Sequence, residues 1–119
     1  MANSLGITTP ITLSSSMGLQ SEHRSMRIIE VCQRFGCDDY VSTAGALTYL
    51  LDDRPYFERE AITVWICDYK HPVYRQRYES FCPFASAVDL LFNEGLSSRN
   101  IMLSGRRELT RIDQLESVQ

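Results

Sequence analysis

Long apolar runs are missing from this 119-residue sequence, and with them any segment able to span a bilayer as a helix. Clustered positive charge is missing too. The 12 Lys and Arg residues are scattered, with Arg106-Arg107 the one adjacent pair, and the net charge is -3. A surface that grips nucleic acid needs concentrated Lys and Arg, so that class is excluded. No C-x-x-C occurs, and His23 and His71 are the only histidines, so no metal-ligand spacing is present and no metal is expected. The N-terminus lacks the basic start, apolar segment and small-residue cleavage site of a signal peptide. That predicts a cytoplasmic protein in which Cys32, Cys37, Cys67 and Cys82 are reduced thiols. There are no internal repeats and no biased tract beyond Ser14-Ser15-Ser16.

What is present suits one α/β domain over 1–104. The segment 11-ITLSS-15 alternates apolar with hydroxyl residues and predicts a strand. In 21-SEHRSMRIIEVCQRFG-36, Met26, Ile29 and Cys32 recur at helical spacing and Gly36 follows as a stop, with Ser21 or Ser25 as the expected N-cap. A strand is expected at 39-DYVST-43, a short helix at 46-ALTYLL-51 and a fresh turn at 56-YFERE-60, because Pro55 disfavours helix at Arg54. The β-branched and aromatic run 61-AITVWIC-67 predicts a third strand. Helices follow at 85-ASAVDLLFNEG-95 and around Ile101, Met102 and Leu103. The polar tail 105–119, with Leu109, Ile112 and Leu115 three apart, suits a docked helix or a frayed end. The order β-α-β-α-β followed by two helices implies a short, mostly parallel sheet, a Rossmann-like half-domain.

In a parallel sheet the strands end on one edge, where ligands tend to bind. Three segments are therefore expected there: 14-SSSMG-18, 42-STAG-45 and 68-DYKHPVY-74. Ser14, Ser15, Ser42, Thr43 and Gly45 belong to strand–helix turns of a kind that offer backbone N–H groups to an anion, although neither turn matches a known phosphate loop. Ordinary capping explains them equally well. His71 precedes a proline, so its imidazole projects from an extended loop and can move a proton near neutral pH, with Asp68 to orient it. Tyr74 and Gln76 can hydrogen-bond a ligand, and Arg99 can pair with a phosphate or carboxylate. Asp89 and Asn93 lie one helical turn apart and share a face. The competing reading of 68–84 is a long loop pinned by Trp65, Tyr69, Tyr74, Tyr78, Phe81 and Phe84.

From 5-LGITTPITLSSSMG-18 through 24-RSMRIIEVCQRFG-36, 39-DYVSTAGALTYL-50, 68-DYKHPVYRQ-76 and 86-SAVDLLFNEGLSSRNI-101, the chain resembles the C-terminal half of WbqC-like proteins. The most specific motifs are Tyr-x-His-Pro-x-Tyr-x-Gln and Ser-x-x-Asp-Leu-Leu-Phe-Asn-x-Gly. Arg75 stands where that pattern has proline and Ser25 where threonine is usual. The resemblance implies a role in bacterial cell-surface polysaccharide (O-antigen) biosynthesis, with acyl or aminoacyl modification of a nucleotide-linked sugar at the strand-end crevice. It implies His71 and Asp68 as catalytic residues. Ser14, Ser15, Ser42, Thr43, Gly45, Tyr74, Gln76, Asp89, Asn93 and Arg99 would contact an anionic small molecule, and no cofactor is implied.

The family's N-terminal half has no counterpart here. A half-fold is expected to expose apolar surface, which a homodimer or a separate N-terminal-half partner would cover. The alternative reading is accordingly a non-catalytic oligomeric or partner-docking module, a truncated or mobile-gene-encoded half of that fold.

Overall fold

Apolar spacing at Met26, Ile29 and Cys32 selects a helix, and Arg24–Phe35 (α1) forms it with Ser25, Ile29 and Cys32 buried. Gly36 adopts φ +62° at its end. The amides of Gly36 and Cys37 then donate back to Gln33 O (3.1 Å) and Cys32 O (2.9 Å), the double bond that closes a helix C-terminus. In this computed structural model, which describes residues 1–115, the helix starts later than expected. His23 is its N-cap and no side chain caps it. The reason is local: the Gln20 and Ser21 amides donate to the Glu30 carboxylate at 3.0–3.1 Å, while the Ser25 hydroxyl turns to Asp53. The Ser21 amide bond is the main cause that holds the Glu30 carboxyl below its usual range, with the Gln20 amide and Arg34 adding to it.

The chain divides into two compact units. One comprises Thr12–Asp68 with Glu108–Gln119 and holds the sheet. Asp39–Thr43 (β1) leads through a short turn, Ala44–Ala46, into Leu47–Asp52 (α2) and Arg54–Arg59 (α3), then into Thr63–Cys67 (β2). β1 and β2 are parallel, in the register Asp39↔Thr63 to Thr43↔Cys67. Leu109–Arg111 (β3) lies antiparallel on the other side of β2, with Trp65 opposite Arg111 and Cys67 opposite Leu109, and Ile112–Leu115 turns into a short helix. Alternation along β2 sends Val64 and Ile66 to the buried face. They pack with Ile29, Cys32, Leu50, Phe57, Ile62 and Ile112 in one core.

The expected fold class therefore holds as mixed α/β, but the β-α-β-α-β parallel order does not. Residues 11–13 form no strand and Ser14–Ser16 is a single 3-10 turn. Ile11 and Leu13 are 73% and 70% exposed, so the alternating pattern there buries nothing, and the Ser16 hydroxyl bonds Leu13 O instead. The third strand comes from 109–111, where a helix or a frayed end was expected. The remainder of that tail, 116–119, lies outside the described residues.

α3 ends on the same double bond as α1, with Ala61 N–H to Glu58 O (3.1 Å) and Ile62 N–H to Phe57 O (2.9 Å), but the left-handed position is held by Ala61 at φ +54°. An L side chain is strained there by about 1 kcal/mol. Ala61→Gly is accordingly expected to stabilise the protein by roughly 0.5–1 kcal/mol, read as a higher urea midpoint. An unchanged or lower midpoint would refute the strain argument.

The second unit, Met1–Ile11 with Tyr69–Arg107, is built on Ala87–Glu94 (α4) and Ser98–Ser104 (α5). Leu5 and Leu90 are its buried apolar residues, and the buried Ser98 hydroxyl donates to Leu90 O (3.2 Å). Among the described residues, no helix is long and apolar enough to cross a membrane.

Candidate functional site

The expected site residues divide between the units. Ser14, Ser15, Ser42, Thr43, Gly45 and Asp68 lie in the sheet unit; His71, Tyr74, Gln76, Asp89, Asn93 and Arg99 lie in the other.

In the sheet unit, parallel pairing of Thr43 with Cys67 brings the turn at Ala44–Ala46 and Asp68 out at the same sheet edge, as expected. Ser42 is buried within β1, whereas Thr43, Gly45 and Asp68 are exposed. The turn 14–18 has no strand before it, so the topological reason for bringing it to that edge does not apply. Several of its backbone groups are engaged: Met17 N–H bonds Ser14 O, and the Met17 and Gly18 carbonyls accept from Arg34.

The other unit assembles three of the expected residues around the carboxylate of a fourth, Asp89. Ser86 caps α4, its Oγ accepting from the Val88 amide at 3.2 Å. That places Asp89 in the first turn, where the helix dipole favours a negative charge. Ser86-Ala-Val-Asp89 has the spacing of a capping box, yet the carboxylate does not close back on the cap. Asp89 Oδ2 instead accepts from Tyr74 Oη (2.7 Å) and Gln76 Nε2 (3.0 Å), and Oδ1 accepts from Asn93 Nδ2 (3.1 Å). Asn93 Nδ2 also donates to Asp89 O (2.8 Å), so both of its bonds from that nitrogen go to Asp89. Gln76 ties the loop down a second time, donating to Cys82 O (3.0 Å) and accepting from Cys82 N–H (2.7 Å). Burial, reinforced by the bond to Asp89, holds the Tyr74 phenol above its usual range. Gln76, Asp89 and Asn93 line an open groove of about 590 Å³ with Arg77, Tyr78 and Phe92.

Tyr74 itself lines an aromatic cavity of about 200 Å³, with Tyr69, His71, Phe81, Phe84 and Met102 among others. The His71 ring meets Tyr69 edge-on at 5.1 Å between centroids and Phe84 at 4.8 Å. Phe84 holds φ +61° although 78% exposed, a conformation that costs a bulky residue roughly 1–2 kcal/mol. The loop is thus pinned by Tyr69, whose hydroxyl donates to Met102 O (2.8 Å), and by Tyr74 and Gln76, while Tyr78 and Phe84 project. The pinned-loop reading of 68–84 is met in part.

Arg99 lies apart from this cluster in its contacts: its guanidinium bonds the Leu5 (3.2 Å) and Gly6 (2.7 Å) carbonyls and clamps the N-terminal turn. Sequence reasoning missed Ser86, Cys82 and Glu94, the last accepting from the Arg75 amide at 2.8 Å. The Ser-x-x-Asp spacing was the available signal for Ser86. Cys82 contributes only its backbone, and carries none.

The model of the WbqC-like protein family matches residues 1–101. Over 91 residues the chain is 32% identical to the uncharacterized protein Rv1507c of Mycobacterium tuberculosis (strain ATCC 25618 / H37Rv), a match that covers 76% of this chain and 38% of that protein. No solved structure matches the chain.

Proposed function

This chain belongs to the WbqC-like protein family, and on that premise we propose a cytoplasmic role in bacterial cell-surface polysaccharide biosynthesis, by acyl or aminoacyl modification of a nucleotide-linked sugar. The observation that carries the reading is the hydrogen-bonded set of Gln76, Asp89 and Asn93 on the wall of the open groove, with Tyr74 bonded to the same Asp89 carboxylate. Carboxylate and amide groups fixed by one another are suited to reading sugar hydroxyls, because their positions are set before a ligand arrives. A hydroxyl or amine of the sugar attacks the carbonyl of an activated acyl donor, and the bond from that carbonyl to the donor's leaving group breaks as the new ester or amide forms. His71 takes the proton from the nucleophile and passes it to the departing group.

The test is thermal unfolding with nucleotide sugars. A ligand at a hundredfold excess over its Kd stabilises by about 2.7 kcal/mol, and that gain is expected to vanish in Asn93→Ala and shrink in His71→Ala. Stabilisation that survives Asn93→Ala would place the ligand elsewhere.

A second reading, a non-catalytic assembly module, is favoured by one feature of α4 and the turn after it. Val88, Phe92 and Leu96 repeat every four residues, and Phe92 is 88% exposed. Such a stripe suits a homodimer or a docked partner chain. If it self-associates, Phe92→Ser is expected to convert a dimer to a monomer in sedimentation; a wild-type chain that is already monomeric at high concentration would rule out the homodimer.

A further inference from the structure

We propose that the cavity between the 69–86 segment, α4 and α5 is a binding site for a neutral, single aromatic ring. Its polar lining groups face other partners: Tyr69 Oη bonds Met102 O, Tyr74 Oη bonds Asp89, and Ser86 Oγ bonds the Val88 amide. No Asp, Glu, Lys or Arg lines it. Its occupant is therefore uncharged and makes at most one hydrogen bond, to the His71 imidazole.

Size narrows the class. An apolar cavity of about 150 Å³ accommodates benzene, so about 200 Å³ admits one ring with a small substituent and not a fused or polymeric ligand. Lining chemistry selects aromatic over aliphatic: four Tyr and Phe rings together with His71 offer faces and edges, and Met102 lies in the same wall. Phe84 is the second, independent sign. Its ring stands largely in solvent at the mouth, held against His71 by a backbone conformation that bulky residues avoid. Loop folding alone gives no reason for an exposed phenylalanine there, whereas a ring seated beside His71 would use it.

The cavity shares only Ala85 with the lining of the sugar groove and contains none of Gln76, Asp89 or Asn93, although His71 serves in both proposals, and the probes are chosen accordingly. Phenol is titrated into the full chain carrying methyl-labelled methionine, with cyclohexanol as the aliphatic ring of equal size. Phenol is expected to shift the Met102 methyl with saturation, and to bind more tightly than cyclohexanol by about 2- to 13-fold, the range that one edge-to-face ring pair supplies. Phe84→Gly, which removes the ring and relieves its backbone, is expected to weaken phenol about fivefold or more while leaving the unliganded spectrum folded. Asn93→Ala is expected to keep the phenol response even where it abolishes the response to nucleotide sugars, which separates the two sites. An unmoved Met102 methyl, equal affinity for cyclohexanol, or unchanged phenol affinity in Phe84→Gly would each overturn the proposal.

Discussion

Alanine in place of Gly105 is expected to destabilise the protein by about 2–3 kcal/mol. The backbone angle is ordinary, φ -79°, so the cost is steric. A Cβ there would meet the Lys70 carbonyl oxygen and lie 2.6 Å from Cε2 and Cζ of Tyr69, against a preferred carbon separation of about 3.5–4.0 Å. Neither neighbour can yield cheaply. The Lys70 amide donates to Gly105 O (3.0 Å) and the Tyr69 hydroxyl to Met102 O (2.8 Å), so the strand of loop and the end of α5 are joined on both sides of the glycine. An added methyl must part them. The thermal midpoint should fall by roughly 10 °C, at about 4 °C per kcal/mol. A midpoint within about 1 °C of the parent would show that the loop shifts freely.

Asp53→Ala is expected to cost about 2–3 kcal/mol, and the loss should depend on pH. Asp53 is buried between α2 and α3, where Oδ2 accepts from the fully buried Ser25 hydroxyl at 2.6 Å and from Arg24 Nε at 3.1 Å. Removing the carboxylate leaves Ser25 without its acceptor, and that desolvated hydroxyl supplies most of the penalty. The Ser25 bond, and after it Arg24, holds the Asp53 carboxyl below its ordinary value of 3.8. A carboxyl depressed by folding stabilises fully above its unfolded pKa and loses that contribution as pH falls through the folded one. The gap in urea midpoint between parent and Asp53→Ala should therefore be wide near pH 7 and narrow below about pH 4. An equal gap at both ends would mean the charge contributes nothing.

How much of this was written legibly in the sequence depends on length and on what each residue buries. β1 and all of β2 were readable, the latter because Val64 and Ile66 alternate across a sheet face that is covered. The run at Ile11–Ser15 has the same alternation, but its apolar residues meet solvent, and pattern alone does not reveal whether a partner exists. β3 spans three residues, too few to show a period of two. In the candidate site, Tyr74, Gln76, Asp89 and Asn93 were legible as individual polar residues. Their meeting on one carboxylate was not, because it depends on a loop folding back thirteen to fifteen positions onto a helix. Arg99 read as an anion ligand because charge is visible in a sequence and a carbonyl partner ninety-four positions away is not.

The antiparallel strand carries a consequence for the order of synthesis. Domains form as the chain leaves the ribosome, N-terminal parts first. β1, β2 and α1 emerge early, yet β3 and the core residue Ile112 emerge only after Tyr69–Arg107, which belongs to the other unit. Until then one side of β2 is an open edge above an unfinished core. Open edges recruit strands from neighbouring chains. The nascent protein is thus most exposed to mispairing while its second unit is being made, and the last strand to appear is the one that closes the window.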